Sequence, residues 1–232
     1  MIDTAQLAAN WATVRGRVDE ACRAVRRDPA DVTVLPVSKT FGSDMVRAAM
    51  SLGLRRFGEN KVQEIKEKVE ALDDHAIEWV VIGHLQTNKA KDVARLASEV
   101  QSLDRLELAE ALHRRLEGMG RRLNVLVQVK TAREETKYGL PADDLPGFLE
   151  RLRGYPTLRV RGLMTMATLS EDPAEVRACF RQLRELRDRC EAKGYALPRL
   201  SMGMSSDFPL AIAEGATEVR IGTAIFGRRS SL

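Results

Sequence analysis

The sequence predicts a (β/α)8 barrel of the TIM-like kind, preceded by one extra helix. Three observations lead to that fold. Short β-branched runs alternate with longer helix-patterned segments from one end of the chain to the other, an order that puts parallel strands inside and helices outside. Eight strand–helix units follow the first helix within 232 residues, the low end of the usual length for a closed barrel. No low-complexity or Pro/Gly/Ser-rich linker divides them, so residues 1–232 are expected to form a single domain.

The first element is an amphipathic helix, with Leu7, Trp11, Val14 and Val18 at three-to-four spacing. The first strand, Val32–Ser38, is an apolar run that ends at Lys39. Pro36 inside it removes a ladder donor, so a bulge or a locally unpaired stretch is expected there. The pattern then alternates through helix Asp44–Leu52, strand Leu54–Phe57, helix Lys61–Leu72, strand Glu78–Ile82, helix Ala90–Ala97 and strand Glu99–Ser102. Helix Leu106–Gly118 follows, with Gly118-Met-Gly120 as its C-cap. The second half runs strand Asn124–Lys130, helix Ala142–Arg153, strand Arg159–Met166, helix Pro173–Ala192, strand Pro198–Met202, helix Asp207–Glu214 and strand Glu218–Ile221. A doubly wound open sheet is the alternative, but no Gly-x-Gly-x-x-Gly follows the first strand.

Composition narrows the function classes. Hydrophobic residues make up 44% of the chain and charged residues 30%, the balance of an ordinary soluble protein. The formal charge is only +4, and basic residues interleave with acids, as in the run from Lys61 to Glu70, so no nucleic-acid partner is implied. Cys22, Cys179 and Cys190 show no CxxC spacing, and His75, His84 and His113 are not paired at metal spacing, which argues against a disulfide framework and a metal site. The N-terminal segment has neither the apolar stretch of a signal peptide nor that of a membrane span. A reducing cytoplasm is the expected location.

Lys39 closes the first strand, so its amine is expected at the carboxyl end of the barrel, the face on which active sites of this fold are built. A partly desolvated lysine there has a lowered pKa, and the neutral amine attacks aldehydes. Two late segments have the form of an anion site. In Leu200-Ser-Met-Gly-Met-Ser205-Ser206-Asp207, a strand enters a small-residue turn and then a helix, whose first amides and the Ser hydroxyls suit a phosphate. Ser206 as a plain N-cap ahead of Pro209 is the simpler account, and both can hold.

Gly222-Thr223, after the eighth strand, repeats the form; Gly222 allows close backbone approach and Thr223 adds a hydroxyl. Arg220 alternates with Val219 and Ile221, so it is expected to point into the barrel, where it needs a carboxylate, a ring nitrogen or a phosphate. Asn60 with Gln63 three residues on also reads as an N-cap pair.

These residues fall in blocks. Val37-Ser-Lys-Thr40, Phe57-Gly-Glu-Asn60, Ile82-Gly-His-Leu-Gln-Thr-Asn-Lys89, Arg161-Gly-Leu-Met164, Leu200-Ser-Met-Gly-Met-Ser205 and Val219-Arg-Ile-Gly-Thr-Ala-Ile-Phe-Gly227 occur in order across nearly the whole chain. In this the sequence resembles the pyridoxal phosphate homeostasis proteins, a family related to the N-terminal barrel of alanine racemase. The resemblance implies the type III fold of pyridoxal phosphate proteins, with pyridoxal 5′-phosphate as a Schiff base on Lys39. It also implies that Ser205, Gly222 and Thr223 cradle the phosphate, Arg220 faces the pyridine nitrogen, Asn60 lines the ring and Met166 packs near the cofactor.

Members of that family are regarded as carriers or regulators of the cofactor, without an established reaction. Apo-enzymes that use the cofactor are the implied partners. The fifth strand departs from the family pattern at Val129-Lys130-Thr131, although Glu135-Thr-Lys137-x-Gly139 returns to it. Lys137 is a candidate second amine for exchange with Lys39, set against its reading as an exposed loop lysine.

A carrier is favoured over an enzyme on chemical grounds. Carbanion chemistry is helped most by a protonated ring nitrogen, and Arg220 does not readily give up a proton, which leaves the ring a weak electron sink. Alanine racemases also place an arginine there, but the resemblance attaches to them a second β-domain and a tyrosine base from a dimer partner. The sequence ends at Leu232, so that domain is expected to be absent and the protein to be a monomer. Of Tyr138, Tyr155 and Tyr195, only Tyr138 is expected near the mouth. The alternatives are a weak or unrecognised racemase or lyase with Lys39 as base, and an aldolase that joins Lys39 to a sugar phosphate.

Overall fold

A computed structural model of the chain describes residues 3–132 and 138–227. Helix α1 (Thr4–Ala24) leads, capped by the Asp3 carboxylate, which accepts from the Gln6 amide at 2.9 Å. The repeating part runs β1 (Thr33–Pro36), α2 (Ser43–Ser51), β2 (Arg56–Glu59), α3 (Val62–Leu72), β3 (Glu78–Val81), α4 (Ala90–Leu96), β4 (Glu99–Leu103), α5 (Leu106–Glu117) and β5 (Leu123–Lys130). It continues through β6 (Leu140–Pro141), α6 (Leu145–Leu152), β7 (Leu158–Met164), α7 (Pro173–Glu191), β8 (Arg199–Ser201), α8 (Phe208–Ala213), β9 (Glu218–Ile221) and α9 (Thr223–Phe226).

All ladders are parallel, in the order β1-β9-β8-β7-β5-β4-β3-β2, with the two-residue β6 beside β5. The two ends of that order meet through a bridge between Val37 and Gly58 and a 3.1 Å hydrogen bond from the Ser38 amide to the Gly58 carbonyl. The eight-stranded barrel is therefore nearly closed, and its thinnest seam lies between β1 and β2.

Pro36 explains the seam. Thr33 and Val37 donate to carbonyls of the β9 side, whereas Ser38 donates toward β2. Alternation aims the missing Pro36 donor at β2. The ladder with β9 stays in register through Pro36 and Ile221, so there is no bulge; the strand is unpaired on one side only.

Each helix packs an apolar stripe on the sheet. Leu7, Val14, Val18 and Cys22 of α1 are buried, with Trp11 partly so, and the Asn10 amide donates to the Ile225 carbonyl at 3.0 Å. The extra helix thus packs beside the last barrel unit. The expected helix Ala142–Arg153 divides into a 3-10 turn over Ala142–Asp144 and α6, with Pro146 in the first turn of α6. Gly118 is the C-cap of α5, as expected, and Gly120 takes the left-handed conformation at φ +61°. The three cysteines are buried free thiols.

Inside the barrel, Leu35, Val37, Val80, Leu126 and Met164 are buried apart from the larger apolar shell between sheet and helices. Below them lies a charged floor. Arg56, Glu99, Arg199 and Glu218 are each the first residue of their strand, so all four belong to the amino end. Arg56 donates to Glu218 at 2.5 Å and to Glu99 at 2.8 Å, and Arg199 donates to Glu218 at 2.7 Å and also to Glu99.

Burial alone would raise the Glu218 carboxyl, but Arg56, Arg199 and the Gln101 amide hold it below its usual 4.5. Its stabilising contribution is therefore present above about pH 4.5 and lost as pH falls through its lowered native value. Glu218→Ala is expected to cost about 3–5 kcal/mol by urea unfolding, because it removes the fully buried carboxylate shared by two partly buried guanidinium groups. A loss under about 1 kcal/mol would mean that Glu99 alone satisfies both arginines.

Candidate functional site

At the opposite, carboxyl end the strand extensions surround a cavity of about 540 Å3, within the range of small-molecule sites. Lys39 follows β1, Asn60 follows β2, and Ile82, Gly83 and His84 follow β3. Gln128 lies in β5, Met166 follows β7, Ser205 and Ser206 follow β8, and Arg220, Gly222 and Thr223 come from β9 and α9. Every residue expected at a cofactor site, namely Lys39, Asn60, Met166, Ser205, Arg220, Gly222 and Thr223, lines this one cavity. Lys137 lies outside the described residues.

Lys39 is half-buried in a two-residue turn. The turn is pinned by the Val37 amide on the Ile221 carbonyl at 2.8 Å and by the Phe41 amide on the Ser38 carbonyl at 3.1 Å. Thr40 takes φ +70°, the left-handed region, which is strained for a β-branched residue.

Arg220 points inward as alternation required, and only 5% of it is exposed. Its guanidinium donates to Ser201 Oγ and to the Thr165 carbonyl, both at 2.8 Å, rather than to a carboxylate. Ser201 in turn donates to Gln101 at 2.7 Å and to Glu218 at 3.1 Å, so a chain of hydrogen bonds joins the charged floor to the cavity wall. Burial pushes the Arg220 guanidinium down to about 10 against the pull of Glu218 and Asp207, which leaves it charged at neutral pH.

The two small-residue turns differ in detail from expectation. Asp207, not Ser206, is the N-cap of α8, and its carboxylate accepts from the Met204 amide at 2.6 Å to close the turn. Both serines are thereby left at the cavity. Asn60 is likewise not the cap of α3; Lys61 is, without a side-chain bond, and the Gln63 amide goes instead to Glu67 at 3.0 Å. Local cap preferences lost because the strand extensions carry these side chains one residue too far from the helix.

After β9 the chain forms the single turn α9, whose first helical bond is from the Ile225 amide to the Gly222 carbonyl at 2.9 Å. Thr223 and Ala224 amides are not used by that turn. A Cβ on Gly222 would meet the Val37 carbonyl at 3.2 Å, which accounts for glycine there.

Tyr138 lines the cavity as expected, but its partner was not foreseen. His84 and Tyr138 stack at 3.8 Å between ring centroids with 16° between their planes, and Gln128 donates to the Tyr138 carbonyl at 3.0 Å. His84 follows a strand and lies in the block from Ile82 to Lys89, but neither fact specifies what its ring meets. Tyr155 stands beside His113, and Tyr195 donates to Glu150 at 2.9 Å; neither lines the cavity. Among the described residues no group of three potential metal ligands is found, and no helix is long and apolar enough to cross a membrane.

Barrel and cavity together define a protein of the class described as alanine racemase, N-terminal domain, whose family matches residues 2–230. An alanine racemase from Streptomyces coelicolor shares the fold at a TM-score of 0.74 and 20% identity, over 98% of this chain and 59% of that one. The pyridoxal phosphate homeostasis protein of Aquifex aeolicus is 43% identical over 214 residues, covering 92% of this chain and 94% of its relative. The chain belongs to the pyridoxal phosphate homeostasis protein family. PipY of Synechococcus elongatus, whose structure has PLP bound, is 37% identical with a TM-score of 0.80, over 90% of this chain and 100% of that one.

Proposed function

We propose that this chain binds pyridoxal 5′-phosphate in the cavity as a Schiff base on Lys39, and that it carries or buffers the cofactor in the cytoplasm rather than turning over a substrate. One observation carries the reading. The described residues lining the cavity include Lys39 and Arg220 but no Asp or Glu, a donor set suited to an anionic ligand that also bears an aldehyde. Ser205, Gly222 and Thr223 sit where two loops after the last strands meet, the usual phosphate position of this fold. Arg220 faces the ring nitrogen as a donor, Asn60 lines the ring, and Met166 packs beside it.

Bound pyridoxal phosphate supplies an electron sink, strongest when its ring nitrogen is protonated. Arg220, charged at neutral pH, would donate to that nitrogen and so keep it unprotonated. Racemisation needs two bases, and Tyr138 is the one tyrosine at the wall, 55% exposed. The chain works as a monomer and passes the cofactor to apo-enzymes.

Mixing purified protein with pyridoxal 5′-phosphate is expected to produce an absorbance band near the violet edge of the visible. Borohydride is expected to fix the adduct on the peptide carrying Lys39. Mapping to Lys137 instead would overturn the assignment. Racemase or lyase turnover that disappears in Lys39→Ala would overturn the carrier reading in favour of the enzyme.

A further inference from the structure

Behind Lys39, on the helix side of the barrel wall, lies a buried charge cluster that the cavity does not include. Gly58 faces the barrel interior, where a Cβ would meet Leu35 and Val37 at 3.3 Å, so the next residue, Glu59, turns outward toward α3. Glu59 is fully buried. There Lys68 of α3, also buried, reaches it at 2.5 Å and donates to the Ser38 carbonyl at 3.0 Å. Ser38 Oγ donates to the same Glu59 oxygen at 2.6 Å. One turn earlier on α3, the Glu64 carboxylate accepts from the Thr40 amide at 2.6 Å and stands 3.8 Å from the Lys68 amine. The residues before and after Lys39 are thus both tied to α3.

Stability alone is a poor account of this arrangement. A buried ion pair generally contributes little more than a well-packed apolar pair of the same size. Glu59 Oε2 is buried with no hydrogen-bond partner, and burial lifts the carboxyl to about 7 against Lys68 and Ser38. What the cluster does accomplish is geometric: it holds Ser38 by two atoms and keeps Thr40 in its left-handed conformation.

We propose that Glu59 and Lys68 are positioning residues, whose contact through Ser38 locks the turn carrying Lys39 and sets how fast its amine condenses with an aldehyde. The inference rests on the cofactor reading above. In the condensation the neutral amine attacks the aldehyde carbon, a C=N bond replaces C=O, and water leaves. An amine held on a rigid turn reaches that carbon without first ordering its own backbone, and misplacement by about 1 Å costs on the order of a hundredfold in rate.

The test replaces both partners at once, Glu59→Leu with Lys68→Met, so that no buried charge is stranded. Three quantities are read: the urea midpoint of cofactor-free protein, the growth rate of the violet band with pyridoxal 5′-phosphate, and the labelling of Lys39 by limiting acetic anhydride in cofactor-free protein. The expected result is a near-native midpoint, a band that still forms on Lys39 but at least about tenfold more slowly, and reduced Lys39 labelling relative to the other lysines. A native rate with native labelling overturns the proposal.

Should the double variant not fold, Ser38→Ala cuts one tie alone. A several-fold slower band supports the clamp, and a native rate overturns it. If the native protein gives no borohydride-trapped adduct at Lys39, the cofactor reading fails, while the labelling comparison still decides whether the clamp orients the amine.

Discussion

Lys39→Ala protein is expected to remain folded and to lose the violet band entirely on addition of pyridoxal 5′-phosphate. The amine lines the cavity from a turn at the end of β1 and is half-buried, so its removal leaves the apolar shell untouched. The unfolding free energy is expected to change by less than about 1 kcal/mol, as for most positions outside a core. What remains is the proposed phosphate cradle at Ser205, Gly222 and Thr223 with Arg220, which is expected still to attract the anion without a covalent link. Equilibrium dialysis is expected to show retention weaker by roughly a hundredfold, about 2.8 kcal/mol. A persisting band would place the imine on another lysine and detach the cavity from the chemistry assigned to it.

Replacing Arg220 by methionine is the second large effect. Methionine is unbranched and apolar and follows the stem of the arginine side chain, but the substitution removes a buried charged donor from the cavity wall. A hydrogen bond from a charged group contributes about 1.5–3 kcal/mol. Retention of pyridoxal 5′-phosphate by Arg220→Met is therefore expected to fall roughly tenfold to a hundredfold, with the adduct still trapped on Lys39. Ser201 Oγ and the Thr165 carbonyl each lose a partner in the same variant. A fall in the urea midpoint is expected from that loss, and it is separable from cofactor retention by measuring cofactor-free protein. Unchanged retention would show that Arg220 serves the charged floor and not the ring.

The two effects rest on different kinds of sequence information. The place of Lys39 was legible because an apolar run that stops at a lysine states where a strand ends and which end of a barrel the amine occupies. Taken alone it reads as a lysine leaving a strand for solvent, and only the two late turns, Arg220 and the ordered blocks point to a site. Arg220 was legible as an inward residue from alternation with Val219 and Ile221, but its partners were not. They come from β8 and from the segment just after β7, and nothing in a strand of four residues specifies what stands opposite it. The N-caps assigned to Ser206 and Asn60 failed for a related reason: a cap residue is chosen by the dihedral angles at the helix start, and these depend on how the preceding strand leaves the barrel.

Pro36 marks a broken ladder position in the sequence, but whether the break bulged the strand or opened a seam depended on which neighbour it faced. The charged floor left no pattern at all. Arg56, Glu99, Arg199 and Glu218 come from four strands scattered over most of the chain, and each by itself reads as an exposed strand end.

By itself the sequence determined the alternation of strands and helices, hence the parallel barrel, and the residue types at its carboxyl end, because both are written in local periodicity and in the residues that close each strand. Only the tertiary structure decided which side chains meet: the near-closure at β1 and β2, the stack of His84 on Tyr138, the floor beneath Arg220, and the Glu59–Lys68 contact behind Lys39. Most of those pairings join residues far apart in the chain, and their energies depend on burial and on partners that no local pattern encodes.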